Sequence, residues 1–330
     1  MTRQAKAAAG HRAVVARVDF GACMLLLEDG ELQRATVRGR WMGPRKALGN
    51  AVVVGDLAHW EGTPGTDQDA AVVSAVEPRR NAFSRRAPGK QRIEQVVAAN
   101  LDQVVVVASF AEPPFSAGLT DRVLCQAAVA GIPARLALNK SDLAPGGAAG
   151  SEVRSVLEEY ERAGVPGHVV CARSGQGLEA LHQACQGMRT LFVGHSGVGK
   201  STLLSAMVPG LELLAGRVNP KTGKGRHTTS AAWLLRPEPG LELVDTPGVR
   251  AFGLWGVEPA EVPRLYPEIA PFLGHCRFRD CEHEAEPGCA VRQAVLEGKI
   301  GALRYESMRK LREELRADAG ATGERAGGRA

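Results

Sequence analysis

Apolar positions recur with two different periods along this 330-residue chain, and the change of period divides it. From residue 11 to 78 the apolar runs are short and alternating (13–18, 23–27, 32–37, 52–59 and 71–76), with glycine and charged turns such as Glu28-Asp29-Gly30 between them. That is the pattern of β-strands half-buried on one face. Five such strands in so short a span predict a small closed barrel of the OB type. From residue 91 the texture changes: 104–108 and 134–138 are continuous apolar runs, expected of strands covered on both faces of a parallel sheet. Amphipathic stretches at 119–130, 151–163 and from 178 onward alternate with them and with a further strand at 168–171. Repeated β–α units predict a doubly wound α/β domain. A last amphipathic segment, 300–317, carries Leu303, Met308, Leu311 and Leu315 near one face.

The resulting division is a disordered N-terminus (1–10), an OB-type barrel domain (11–78), a basic linker (79–90), an α/β domain (91–253), a C-terminal helical module (254–317) and a disordered tail (318–330). Hydrophobic residues at 44% and charged residues at 23% are ordinary for a soluble globular protein. No run approaches the roughly 18–20 apolar residues a membrane span requires, and the first residues lack the apolar core of a secretion signal. Seven cysteines without framework spacing argue against a disulfide scaffold, so a cytoplasmic location is expected. The net charge of +5 is uneven: Arg79, Arg80, Arg85, Arg86, Lys90 and Arg92 crowd the linker, either for a polyanion or as a solvated connection. In the barrel, Arg38, Arg40, Arg45 and Lys46 with Trp41 suit a nucleic-acid face, the alternative being a protein-interaction barrel.

The densest chemistry lies at 191–204, LFVGHSGVGKSTLL: a short strand, a glycine-rich turn and a helix, spaced G-x-x-x-x-G-K-[ST]. Here Gly194, His195, Ser196, Gly197, Val198 and Gly199 form a turn whose backbone N–H groups can face phosphate oxygens. Lys200 supplies charge to the β- and γ-phosphates, the Ser201 hydroxyl is a Mg²⁺ ligand, and Thr202 opens the helix with it. The run 134–138 leads into Asn139-Lys140-Ser141-Asp142, an N-K-x-D at a strand end, where the Asp142 carboxylate can accept from guanine N1–H and N2 together. Cys171-Ala172-Arg173, where Ser-Ala-Lys is commoner, can offer the Ala172 N–H to guanine O6. The strand 241–244 ends in Asp245-Thr246-Pro247-Gly248, with Asp245 placed for a magnesium-bound water and the Gly248 N–H for the γ-phosphate. Between these lies a polar loop, 218–230, in which Thr228 or Thr229 is a second Mg²⁺ ligand. A glutamine that orients water often follows D-x-x-G; here the position is Val249, and His227, with His195 second, is the candidate replacement. N-K-x-D precedes the phosphate loop, the reverse of the ordinary order, which fits a circularly permuted chain.

Cys276, Cys281, His283 and Cys289 make a closed structural Zn²⁺ set, with His275 as an alternative nitrogen ligand. The barrel, the permuted motif order, the loop Gly225-Arg226-His227-Thr228-Thr229-Ser230 and the three-cysteine, one-histidine set together resemble the ribosome small subunit-dependent GTPase A family, over about residues 10–317. The resemblance implies a Mg-dependent hydrolase converting GTP to GDP and phosphate, with Lys200, Thr229 and His227 in catalysis and one structural zinc. It implies late action on the 30S subunit, stimulation by that subunit, rRNA contacts through barrel and zinc module, and other assembly factors as further partners. A monomer is expected. The competing reading is a nucleotide-gated RNA-binding scaffold whose hydrolysis is incidental.

Overall fold

A computed structural model of the chain describes residues 11–37, 49–62, 71–87, 93–146, 150–211, 232–248 and 252–326. The first five strands are β1 (His11–Asp19), β2 (Ala22–Leu26), β3 (Leu32–Val37), β4 (Leu57–Glu61) and β5 (Val72–Val76). They close into a barrel in the order β1-β2-β3-β5-β4. All the pairings are antiparallel except β3 with β5, and β4 returns to β1. Alternate residues fill the barrel, among them Val15, Leu25, Ala35, Trp60 and Val73, all fully buried. The expected strand at 52–59 begins only at Leu57. Residues 53–56 form a turn instead: the Val53 N–H donates to Asp56 Oδ2 at 2.8 Å, and Gly55 takes φ +88°. A Cβ on Gly55 would sit 2.1 Å from the Ala99 carbonyl oxygen, so only glycine lets the barrel approach this closely.

Within the linker expected at 79–90, residues 82–86 are a strand. β6 (Ala82–Arg86) pairs antiparallel with β7 (Glu94–Ala99). Most of its described cations bind within the protein: Arg79 grips Asp56 through Nε at 2.7 Å and Nη2 at 2.9 Å, Arg80 meets Asp102 at 2.6 Å, and Arg86 meets Asp318 at 2.6 Å. Lys90 and Arg92, like the barrel residues Arg38, Arg40, Trp41, Arg45 and Lys46, lie outside the described residues.

Six further strands form one sheet: β8 (Gln103–Ser109), β9 (Ala134–Asn139), β10 (Gly167–Val169), β11 (Met188–Gly194), β12 (Trp233–Glu238) and β13 (Leu241–Asp245). Its order is β10-β9-β8-β11-β13-β12, parallel throughout except for β12, which runs antiparallel at the edge. Period-two alternation sends Val104, Val106, Leu136 and Val193 to one face, against α1 (Ala117–Val129) and α2 (Ser151–Arg162). Val105, Val107, Ala137 and Phe192 face the other way, against α3 (Leu178–Cys185) and α4 (Lys200–Met207). All five parallel strands therefore end at one edge of the sheet, where ligands bind in such folds.

The C-terminal unit holds two short 3₁₀ turns (Val262–Leu265 and Ala270–Phe272), α5 (Ala290–Leu296) and α6 (Ala302–Ala326). The tail expected to be disordered from 318 is instead helical to Ala326, and the Asp318–Arg86 pair fastens that extension to β6. Arg304 of α6 is buried, at 2% side-chain exposure, between Asp121 of α1 and Glu268, whose Oε1 it meets at 2.7 Å. Its guanidinium lies over the rings of Tyr160 (4.9 Å) and Tyr266 (4.5 Å), and the Tyr160 hydroxyl donates to Asp121 at 2.9 Å. Replacing this cation leaves two buried carboxylates without a counter-charge. Arg304→Met is expected to cost about 3–5 kcal/mol in denaturant unfolding, and to separate α6 from α1 before the sheet melts.

Candidate functional site

The phosphate loop sits at the end of β11, in the middle of the sheet. Its backbone demands glycine: a Cβ at Gly194 would lie 2.4 Å from the Val107 carbonyl oxygen, and Gly199 takes φ +84°. Ser196 and Gly197 face solvent, Val198 packs inward, and Ser201 and Thr202 lie exposed on the first turn of α4. The loop thus leaves the backbone at Ser196 and Gly197 and the side chains of Ser201 and Thr202 open to solvent.

Asn139, at the end of β9, joins three of the predicted motifs. Its Nδ2 donates to the Val198 carbonyl at 2.9 Å, and its Oδ1 accepts from the Ala172 N–H at 3.2 Å. Lys140 takes a left-handed conformation (φ 60°) and its Nζ reaches the Glu112 carbonyl. Asp142 is exposed beyond it. Its Oδ1 accepts from the thiol of Cys171 at 3.2 Å, a contact that residue spacing cannot foresee, since the two residues belong to separate loops. The loops after β9 and β10 are therefore locked together, and both are tied to the phosphate loop.

On the other side, Lys200 Nζ is ion-paired with Asp245 at the end of β13. Thr246 Oγ1 donates to the Phe192 carbonyl at 2.7 Å. Gly248 lies against the phosphate loop, where an added Cβ would stand 3.1 Å from Ser196 Cα. His195 turns its ring back on its own loop and donates from Nδ1 to the Ser196 carbonyl at 2.6 Å. His227, Thr228, Thr229 and Val249 lie outside the described residues. The set that does meet at this edge is a cation, a carboxylate, two hydroxyls and a glycine backbone. That donor set is of the kind that holds a triphosphate together with a divalent cation.

The second cluster is in the C-terminal unit. The ligand atoms of Cys276, Cys281, His283 and Cys289 all lie within 4.8 Å of one another. His283 Nδ1 is 3.4 Å from Cys276 Sγ and 3.5 Å from Cys289 Sγ, and those two sulfurs are 4.0 Å apart. A tetrahedral zinc with ordinary bond lengths separates its ligands by about 3.5–3.8 Å, so the spacings among His283, Cys276 and Cys289 are already close to those such an ion sets. Burial first, then the Arg312 charge, keeps the His283 imidazole neutral, as a ligand must be. Burial and the two neighbouring thiols push Cys281 up to about 12, a pile-up of thiols that a cation would reverse. The loop is braced by Glu286, whose carboxylate accepts N–H groups from Glu282 (2.6 Å), Glu284 (2.9 Å) and Ala285 (3.1 Å). Its own and those neighbouring N–H groups hold Glu286 down at about 2. Tyr305 of α6 donates to the His283 carbonyl at 2.6 Å. His275, the alternative ligand, is not in the cluster.

The similarities of the chain agree with this geometry. A protein called small ribosomal subunit biogenesis GTPase RsgA, from Gemmatimonas aurantiaca, is 41% identical over 310 residues, covering 92% of this chain and 96% of that one. One of the same name from Azotobacter vinelandii is 41% identical over 290 residues, covering 87% and 81%. The crystal structure of YjeQ from Thermotoga maritima superposes with a TM-score of 0.68 at 28% identity, covering 92% of this chain and 98% of that one. YloQ, described as a circularly permuted GTPase, shares the fold with a TM-score of 0.68 at 22% identity, covering 93% and 96%. Residues 76–255, which contain the phosphate loop and all three of its partner loops, match the family model described as RsgA GTPase, and the chain belongs to that family.

Proposed function

We propose that this protein is a GTP hydrolase of small-subunit ribosome biogenesis. The observation that carries the reading is the Asn139 amide, which ties the guanine-reading loops to the phosphate loop at one sheet edge. The names of the relatives support the cellular role. Base recognition rests on Asp142, which accepts from guanine N1–H and N2, with the Lys140 stem over the ring and the Ala172 N–H toward O6. The backbone of Gly194 to Gly199 holds the phosphates, and Lys200 leaves Asp245 to meet the β- and γ-oxygens. Ser201, and Asp245 through water, would hold a magnesium ion, which when bound would supply charge neutralisation to the phosphates. Gly248, packed on Ser196, offers its N–H to the γ-phosphate. Thr229 and His227 are the remaining members of the proposed machinery, the second orienting water where Val249 cannot. Zinc in the Cys276, Cys281, His283 and Cys289 set is structural, because four protein ligands leave no open position.

The same reading assigns the barrel and the zinc-bearing unit to rRNA, and has the small subunit both stimulate turnover and respond to the nucleotide. The protein acts as a monomer in the cytoplasm, alongside other 30S assembly factors.

Three outcomes are expected. Asp142→Asn should lose roughly 1–3 kcal/mol of GTP affinity by mispairing base donors, with xanthine nucleotides recovering part of it; equal affinity of the native protein for ATP and GTP in equilibrium binding would remove the assignment. Metal analysis should find one zinc per chain, and Cys276→Ser should release it and loosen residues 276–289 in hydrogen exchange while the barrel stays protected. In sedimentation with 30S particles, a non-hydrolysable GTP analogue should bind more tightly than GDP by about 1–3 kcal/mol. That affinity should also fall steeply with salt, and identical binding in both nucleotide states would refute the coupling.

A further inference from the structure

A cleft of about 440 Å³ opens where the barrel, the β6–β7 hairpin and the segment after Asp245 meet. Its walls are apolar: Val53 and Val54 from the barrel turn, Phe83 and Val96 from the hairpin, Pro247 and Phe252 from the chain following β13. Among the described residues one cation lines it. Arg85 is half-buried and donates from Nε to Gln95 Oε1 at 3.0 Å, across the hairpin. Among the described residues it meets no carboxylate, whereas Arg79, Arg80 and Arg86 around it are all ion-paired. Burial alone pulls its guanidinium below the usual arginine value, as expected of a charge that nothing compensates. The one acid on the described lining, Glu94, accepts the Ser84 hydroxyl at its Oε1 at 2.7 Å and makes no ion pair with Arg85.

A planar cation at the mouth of an apolar slot of this size suits a ligand with a flat apolar body and an adjoining anion. Water solvates such a guanidinium poorly, and an aromatic face or a phosphate oxygen compensates it well. Unpaired bases are recognised in this way, stacked on guanidinium planes and apolar side chains with the phosphate close by. We propose that the cleft receives one unpaired nucleotide of RNA, its base between the barrel turn and the hairpin and its phosphate on Arg85. The site is distinct from the guanine-reading edge, yet Thr246 and Pro247 line it, so RNA seated there presses on the residues between Asp245 and Gly248. This gives the RNA contact of the proposed function a specific place, and it rests on that reading.

The test is fluorescence anisotropy with the full chain, saturated with GDP so that the phosphate loop is filled, and a short labelled oligoadenylate. Two variants address Arg85 independently. Arg85→Ala removes the cation; Gln95→Glu leaves it in place but supplies a carboxylate where the amide now accepts, and should not weaken the hairpin. Both should raise the dissociation constant about tenfold and lower the slope of log affinity against log salt by about one. Inorganic polyphosphate is the control ligand, and it should bind more weakly and respond little to either variant. Wild-type binding that both variants leave intact would overturn the cleft while sparing the wider RNA reading, and no RNA binding by the wild type would overturn both. Polyphosphate that binds as well as RNA and is lost in the same variants would make this an anion site, not a nucleotide site.

Discussion

The guanidinium of Arg304 is the constraint on which the C-terminal half of the molecule depends. Removing it from water costs several kcal/mol, which is recovered only if every partner is in place. Asp121 comes from α1, Tyr160 from α2, Glu268 and Tyr266 from the irregular chain before the zinc cluster, and Arg304 itself from α6. Apolar packing between these elements would tolerate a slide or a rotation, because dispersion is nearly isotropic. A forked cation between two carboxylates and two ring faces does not. The hub therefore fixes where α6 lies, and α6 in turn holds the metal loop through Tyr305 and Arg312 on the His283 and Glu282 carbonyls.

Asn139 does the corresponding work at the sheet edge with a neutral group. An amide suits the position because it must donate to one loop and accept from another at once, which neither a carboxylate nor a lysine can do. The Cys171 thiol adds a weak bond to Asp142 beside it. A gap in the phosphate loop would thus be felt at the base-reading loops and the reverse, although neither loop borders the other in sequence.

Features set by local rules were legible in the chain. The phosphate loop was visible because its glycines are needed for φ values and close approaches that other residues cannot supply, as Gly194 and Gly199 bear out. Barrel strands were visible from alternation and the metal cluster from ligand spacing. What escaped notice depends on partners far along the chain. Residues 82–86 read as a charged connection because their partners are β7, Gly253 and Asp318, the last 232 positions away. The apolar run at 52–54 looked like the start of a strand; Asp56 and its Arg79 clamp make it a turn, with Val52 packed inside the barrel and Val54 outside it. β12 escaped because its antiparallel register on β13 shifts between Leu235 and Glu238, leaving no clean alternation. Arg304 could not be distinguished from the surface arginines of its helix until Asp121 and Glu268 were seen beside it.

The reordered chain has a mechanical consequence. The strand that ends in Asp245 does not lead back into the sheet; it leads to Gly248 against Ser196, then to the buried Phe252, then to Gly253, whose carbonyl accepts the Arg86 N–H at 2.9 Å. Two residues later the Trp255 N–H donates to Gln126 of α1 at 2.9 Å, and the chain enters the block that Arg304 holds rigid. Phosphate loop and C-terminal unit are thereby joined by one short covalent path, anchored among its described residues at Gly248, Phe252, Gly253 and Trp255. Such a path transmits only if its anchored residues have a second arrangement that the nucleotide favours. Among the described residues of the path, Gly248 is the one that both touches the phosphate loop and lacks a side chain to oppose a shift, so such an arrangement would begin there. If a partner that grips the C-terminal unit acts on the same residue from the other end, the free energy of that coupling is equal in both directions.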